Sequence, residues 1–385
     1  MRLGRAGQLP AGSRCAPAQR RQDRAVTHDL ALTAVTAAQA IKAKQRSPAV
    51  ATAFARNQWY VAAYGSEVSR TFLARTILGE PIVFYRTAGD ARVVALADRC
   101  VHRRYPLSES SLDGDNVVCG YHGFTYDTSG TCVFVPGQQR IPRTARVASY
   151  PVAEVDSFVW VWIGEAELAD ESLIPRAPHM AAPEFVTVSG MEPIDCDYGL
   201  LVDNLLDLSH ETYLHAGFIG TPEVARTPIT TEADEQAGIV RVARHMMDAE
   251  CPPFYAKSTG IGGRITRLQD IEYFAPCLYL LHSRISPVGE QAPVFRTEIT
   301  YAITPSAPGK VYDFWAVSRD FATGDAEVTE FLRDFNHQVV MQDVVALNIL
   351  QKALDTEPEG YQELSIGIDA GGLAARRILA DLAAR

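Results

Sequence analysis

Two short segments each offer one cysteine and one histidine: Cys100-Val101-His102 and, sixteen residues further on, Cys119-Gly120-Tyr121-His122. Thiolate and imidazole are ligands for soft and borderline metals. Four of them in two loops can hold one tetrahedral zinc. They can equally hold a [2Fe–2S] cluster, with both cysteines on one iron and both histidines on the other. The C-x-H spacing favours the cluster: one tight loop can send two side chains to neighbouring metals, whereas zinc loops more often leave two to four residues between ligands. Gly120 and Gly123 let the main chain come close enough for amide N–H groups to donate toward sulfur.

A second group runs from Asp203 to His215 and reads Asp-Asn-Leu-Leu-Asp-Leu-Ser-His-Glu-Thr-Tyr-Leu-His. On a regular helix Asn204, Asp207 and His210 fall on one side by their spacing of three. His215 lies five positions after His210, about 140° round the axis, so both face one metal only if the helix widens or ends near Tyr213. Ala216-Gly217 suits an ending. Two histidines and a carboxylate on one face of Fe(II) leave positions open for O₂. Taken alone, His-x4-His fits hydrogen-bonded core histidines as well.

The first pattern resembles the Rieske iron–sulfur domain. His102-Arg103-Arg104-Tyr105-Pro106-Leu107 and Tyr121-His122-Gly123-Phe124 carry the likeness. Val101, Gly120 and Tyr105 depart from the more usual Pro, Pro and small residue. The order of the two patterns, Rieske loops and then Asp-x2-His-x4-His, resembles the Rieske non-haem iron oxygenases. Asn57–Ala63, Leu201–Leu205 and the short chain bring it nearest to the vanillate and dicamba O-demethylase subgroup.

That resemblance implies a [2Fe–2S] cluster on Cys100, His102, Cys119 and His122, and a mononuclear Fe(II) on His210, His215 and an aspartate of a late helix. Asp343, within Gln338–Val345, matches the aspartate, with Asp334 the main rival and Asp355 near the helix end. Asp207 would orient His210 with its carboxylate and link the iron to a Rieske histidine, His122 by preference, of a neighbouring subunit. Asn204 would sit near the iron without strong ligation. The implied assembly is a head-to-tail homotrimer, because cluster and iron of one subunit lie too far apart to exchange electrons. No flavin or nicotinamide fingerprint occurs, so a separate flavin- or ferredoxin-type reductase must deliver electrons from NADH or NADPH. The function implied is a terminal oxygenase that uses O₂ on a small aromatic compound, by O-demethylation or hydroxylation of an aromatic acid. Ring cis-dihydroxylation is the alternative among enzymes. An electron-transfer Rieske protein is the alternative of another class, and the second metal site separates the two. For substrate contacts, alternation along Leu280–Ile285 puts His282 and Arg284 on one face, where either can bind a carboxylate or phenol; Tyr301 and Arg296 follow on the next strand.

These residues need a fold to hold them. The 385 residues are 47% hydrophobic and 21% charged, enough for a real core. No run approaches eighteen apolar residues, which argues against a membrane-spanning helix. Seven cysteines fit a reducing cytoplasm and leave Cys15, Cys132, Cys196, Cys251 and Cys277 to pack or stay free. A net charge of −10 disfavours nucleic acid as a partner. Residues 1–56 stand apart, with ten Lys/Arg against Asp23 and Asp29, and read as a disordered or partly helical extension with a helix possible at His28–Gln45.

From Asn57 short aromatic and β-branched runs alternate with turns: Trp59–Ala63, Pro81–Arg86, Arg92–Ala97, Asn116–Cys119 and Phe158–Ile163. They predict an all-β domain over 57–164. Over 165–385 a linker precedes extended patterns at Phe185–Asp195, Gly238–His245, Ile271–Ile285, Val294–Thr304 and Val311–Ser318, with helices at Gly199–Tyr213 and Glu327–Leu354. The fold class expected is α+β, a Rieske domain followed by a helix-grip catalytic domain with an antiparallel sheet.

Overall fold

The computed structural model describes residues 54–289, 292–358 and 361–385; the helix considered at His28–Gln45 lies outside them. Ten strands come first: β1 (Gln58–Tyr64), β2 (Leu73–Ile77), β3 (Glu80–Arg86), β4 (Val93–Ala97), β5 (Ser111–Asp113), β6 (Asn116–Val118), β7 (Thr125–Tyr126), β8 (Cys132–Phe134), β9 (Val152–Val155) and β10 (Phe158–Ile163). They form three antiparallel sheets, ordered β1-β10-β9, β2-β3-β4 and β5-β6-β7-β8. All six residues of β10 are buried, as the unbroken run Phe-Val-Trp-Val-Trp-Ile requires of a strand covered on both faces. The strands β2, β5, β7, β8 and β9 carried too few residues, or too little alternation, to be read in advance.

The second half follows as β11 (Val186–Ile194), α1 (Tyr198–Leu206), α2 (Glu211–Leu214), α3 (Pro222–Arg226), β12 (Thr230–Asp234), β13 (Ile239–Glu250), α4 (Pro253–Thr259), β14 (Arg264–Phe274), β15 (Leu278–Pro287), β16 (Phe295–Ala307), β17 (Lys310–Arg319), α5 (Ala326–Leu354) and α6 (Ala370–Ala383). Seven strands make one antiparallel sheet, ordered β11-β17-β16-β15-β14-β13-β12. The α+β class and the antiparallel catalytic sheet are as expected. The extended run Ile271–Ile285 divides between two strands: β14 and β15 turn about Ala275–Cys277 and pair with Ile271 opposite Leu281. Pro276 has no N–H for a ladder, so the chain reverses there.

The sheet is covered on both faces. One face carries α1, α5 and α6 over a core that includes Leu201, Leu205, Tyr279, Tyr301, Trp315, Val340 and Leu347. The other packs Leu278, Leu280, Ala302 and Phe314 against Trp59, Val61 and Trp160 of the first half. Main-chain bonds cross this seam, from Leu78 N to Pro305 O (2.9 Å) and from Gly79 N to Ser306 O (2.7 Å). A third core lies under the cysteine loops, with Cys100, Cys119, Tyr126 and Val117.

Two helices repay closer reading. Asp325 caps α5 by accepting from the N–H groups of Glu327 (2.9 Å) and Val328 (3.1 Å), which starts a helix of 29 residues, about 44 Å long. α6 was not foreseen, because Gly371-Gly372 in its first turn weakens helix propensity. A Cβ on Gly372 would stand 2.5 Å from Asp203 Oδ1, and one on Gly371 2.8 Å from Val242. The glycines are there so that α6 can lie directly on α1 and β13. Among the described residues no helix is long and apolar enough to cross a membrane.

Candidate metal centres and the cavity between sheet and helices

The two cysteine loops are built alike. Cys100 N donates to Tyr105 O (2.8 Å) and Arg104 N to Cys100 O (2.8 Å); Cys119 N donates to Phe124 O (2.8 Å) and Gly123 N to Cys119 O (2.9 Å). The residue four after each cysteine takes a positive φ, 58° at Arg104 and 71° at Gly123. Glycine does this freely; arginine does so at the order of 1 kcal/mol, in a backbone the tight loop imposes. Cys100 and Cys119 are buried, whereas His102 and His122 stand exposed with ring centroids 4.7 Å apart. Tyr126 Oη lies 3.1 Å from Cys100 Sγ. Burial raises the Cys119 thiol, and the amides of Tyr121 and His122 directed at its sulfur work against that rise.

A single zinc would draw its four ligand atoms to within about 4 Å of each other. Among the described residues, only His210, His215 and Asp343 form a set of three or more such ligands all within 4.8 Å. Two buried sulfurs beside two exposed imidazoles fit a two-iron cluster with the cysteines on one iron and the histidines on the other.

Around His210 the chain departs from the expected helix. α1 ends at Leu206 and Asp207 is extended (φ −127°, ψ 97°), followed by a 3₁₀ turn at Leu208–His210 and then α2. The helix is broken once at Asp207, before His210, and ends again at Leu214, beside Tyr213 as expected. The Asp207 carboxylate makes the break by accepting from Ser209 N and Oγ, both at 2.8 Å, which starts the next turn. The expected carboxylate contact to His210 is therefore corrected: the Asp207 main-chain carbonyl accepts from His210 Nδ1 at 2.6 Å, and the carboxylate is bound to Ser209, 4.0 Å from the buried Arg244 Nη2. His215 Nδ1 donates to Gln342 Oε1 at 2.7 Å.

With each Nδ1 facing an acceptor oxygen, the ring proton of a neutral imidazole resides there. The Nε2 lone pairs then face Asp343, 3.7 Å from its Oδ1 for His210 and 3.3 Å from its Oδ2 for His215. Three acceptors turned toward one another repel unless a cation lies among them, so this donor set fits a mononuclear metal. Burial lowers the His215 pKa, but the adjoining Asp343 and Gln342 outweigh it and leave it raised. Asn204 Nδ2 donates to Asp343 Oδ1 (3.1 Å), holding the carboxylate in place. Asp334 and Asp355 are both exposed and away from the group.

This cluster opens on a cavity walled by Leu205, Leu208, Ile219, Phe254, Leu281, Ile299 and Val339, with Tyr279, Tyr301 and Asn336 among them. Its polar flank is a buried ion pair, Arg267 Nη2 to Glu211 Oε2 at 2.8 Å, with Gln269 Nε2 on Glu211 Oε1 (2.9 Å) and Arg267 stacked over Tyr255 (5.2 Å). Of the expected substrate contacts, Tyr301 lines the cavity. His282 and Arg284 do not. They lie on the opposite face of β15 from Tyr279 and Leu281, where His282 bonds Glu298 and Arg284 Nη1 reaches Asp270 (3.3 Å). Arg296 pairs with Asp320. Glu211, Arg267, Tyr279, Asn336 and Gln342 were not singled out beforehand. A signal existed for Arg267: it and Gln269 occupy inward positions of the β14 alternation, where a merely structural strand would carry apolar residues.

Residues 58–151 match the Rieske [2Fe-2S] domain, and residues 194–385 the vanillate O-demethylase oxygenase C-terminal domain. The chain is 34% identical to the vanillate O-demethylase oxygenase subunit of Pseudomonas sp. (strain HR199 / DSM 7063), over 85% of this chain and 94% of that one. It is 32% identical to the oxygenase component of dicamba O-demethylase from Stenotrophomonas maltophilia, over 84% and 96%. Among solved structures it superposes on dicamba monooxygenase bound to dicamba with a TM-score of 0.80, at 31% identity, covering 87% of this chain and 98% of that one.

Proposed function

This chain belongs to the Rieske non-haem iron oxygenases, in the group of the vanillate and dicamba O-demethylase oxygenase components, and from that premise we propose that it removes the methyl group of a small aryl methyl ether. It is an oxidoreductase whose cofactors are a Rieske [2Fe–2S] cluster and a mononuclear non-haem iron. The balance is ArOCH₃ + O₂ + 2 e⁻ + 2 H⁺ → ArOH + HCHO + H₂O. Hydroxylating the methyl carbon yields a hemiacetal, which collapses to phenol and formaldehyde. The observation that carries the reading is the opening of His210, His215 and Asp343 onto an enclosed, largely apolar cavity.

When bound, the cluster supplies electrons singly and the iron supplies the site of O₂ reduction. Cys100, Cys119, His102 and His122 are the proposed cluster ligands, and His210, His215 and Asp343 those of the iron. The carbonyl of Asp207 and the amide of Gln342 orient the two imidazoles; Asn204 orients the carboxylate. The apolar walls exclude water and hold the ring. The division of the chain into an extension at 1–56, a Rieske domain at 57–164 and a catalytic domain at 165–385 is part of the same reading. So are a separate reductase drawing on NADH or NADPH, and a head-to-tail homotrimer in which Asp207 links His210 to His122 of a neighbouring copy. Exposed apolar side chains beside the cluster loops (Val101, Tyr121) and on the outer side of α5 (Val345, Ile349) support an assembly.

Supplied with a Rieske-oxygenase reductase, NADH and O₂, the purified protein should release one formaldehyde per phenol from members of a methoxybenzoate panel. A ring cis-diol, or no formaldehyde from any member, rejects O-demethylation.

A further inference from the structure

Two uncharged side chains of the cavity each carry a buried donor with no partner among the described residues. Tyr279 is 1% exposed and its hydroxyl has no hydrogen-bond partner among the described residues; Asn336 is 4% exposed and its Nδ2 likewise has none. A buried donor left unmade costs about 1–3 kcal/mol, so such groups are retained where something else completes them. Tyr279 projects from the sheet wall, braced edge-to-face by Tyr301 across the strand pair (ring centroids 5.7 Å). Asn336 comes from the helix wall, seven residues before Asp343 and therefore on the same side of α5. Both line the cavity into which the ligand set opens.

The cavity's cation already neutralises a buried carboxylate. Arg267 is buried, its two terminal nitrogens donate to Glu211 Oε2 (2.8 Å) and to Ile219 O (2.9 Å), and it lies over Tyr255; only its Nε is without a partner among the described residues. An anion that displaced Glu211 from Arg267 would leave that carboxylate buried without its counter-charge. The charge account still has room for an anion. Asp343 and Glu211 contribute two negative charges and Arg267 one positive, so a divalent ion on the ligand set leaves one positive charge in excess.

Resting on the oxygenase reading above, we propose that Tyr279 and Asn336 are the specificity-determining contacts of this cavity. The Tyr279 hydroxyl and the Asn336 amide donate to a singly anionic oxygen group of the aromatic substrate, such as a carboxylate, while Arg267 stays with Glu211.

The test measures binding, not turnover, on the iron-loaded full chain without O₂. Titration calorimetry compares 3-methoxybenzoate with 3-methoxybenzamide, which matches it in shape and lacks the charge. The wild type should bind the benzoate more tightly. Tyr279→Phe and Asn336→Leu should each weaken benzoate binding about tenfold to a hundredfold, the range for a hydrogen bond to a charged group, and the benzamide by only a few-fold. Iron content and the cluster's visible spectrum, unchanged in both variants, show that the fold is kept; a variant that loses either is replaced by Tyr279→Leu or Asn336→Ala. Tighter binding of the benzamide, no binding of either probe to the wild type, or wild-type affinity in both variants overturns the assignment. Formaldehyde release separates this from the parent reading. Benzoate that binds as described yet yields no formaldehyde rejects demethylation alone; formaldehyde released with unaltered affinity in both variants rejects the two contacts alone.

Discussion

The cysteine loops lie within one stretch from Cys100 to His122 and repeat a single main-chain design, with their two histidines in solvent. The His210–His215–Asp343 group depends on pairings such as His215 with Gln342, 127 positions apart, and His215 is only 1% exposed. A centre made from adjacent turns needs only local hydrogen bonds to form. A centre assembled between a broken helix, a sheet and a long helix forms only once the core around it has packed. The first can present its ligands outward to a redox partner; the second can enclose a substrate away from water. Ion pairs of the two halves differ too: Arg70–Asp115, in the half that carries the cysteine loops, lies at the surface, whereas Arg267–Glu211 at the cavity is almost wholly buried.

Breaking one centre at a time is the strongest test of that contrast. Asp343→Ala should lose the mononuclear iron and all product formation while keeping the Rieske EPR signal. His122→Ala should lose that signal and leave iron at the other site. Asp334→Ala, on the exposed side of α5, should do neither. Iron analysis with EPR reads all three, and loss of both centres in either ligand variant would mean the two regions are not independent.

Next comes the buried pair. Glu211→Ala leaves Arg267 charged and unpaired in the core and should cost about 3–5 kcal/mol in denaturant unfolding. Arg70→Ala, which removes an exposed pair of 2.6 Å, should cost under about 1 kcal/mol. Similar values for both would erase the distinction between the regions.

Asp207 tests how they communicate. Its carbonyl holds His210 while its carboxylate bonds Ser209, so Asp207→Asn keeps the first contact and removes the charge. Both metals should remain, and reoxidation of the reduced cluster in single turnover with substrate and O₂ should slow by about 10–100-fold. Wild-type reoxidation in stopped flow would place the electron route elsewhere.

The candidate ligands were legible because metal chemistry narrows residue type and spacing together. Cys-x-His with Cys-x2-His, then Asp-x2-His-x4-His, is a pattern that packing alone has no reason to produce. Long elements were legible for a similar reason: the run of α5 carries a helical period over 29 residues without Pro or Gly. Short strands such as β7, two residues long, exist only through their neighbours. The ending near Tyr213 was legible and the further break at Asp207 was not, because helix and capped turn share the same residues there, and the choice rests on what Asp207 and His210 meet in space.

The walls of the cavity were decided by tertiary structure alone. Strand alternation tells which residues share a face, so Tyr279 goes with Leu281 and His282 with Arg284. It tells which face is the cavity only when one side is polar and solvated. In β15, Leu278 through Leu281 are all buried, because helices cover one face and the first half of the chain covers the other. With no polar side to read, the charged pair looked like the substrate face, yet it turned out to lie behind the sheet, held by Glu298 and Asp270. The sequence by itself determined which atoms can bind metal, since that is a property of residue type and local spacing. Which side chains enclose the substrate depends on what packs against each face of the sheet, and that is settled only when distant segments meet.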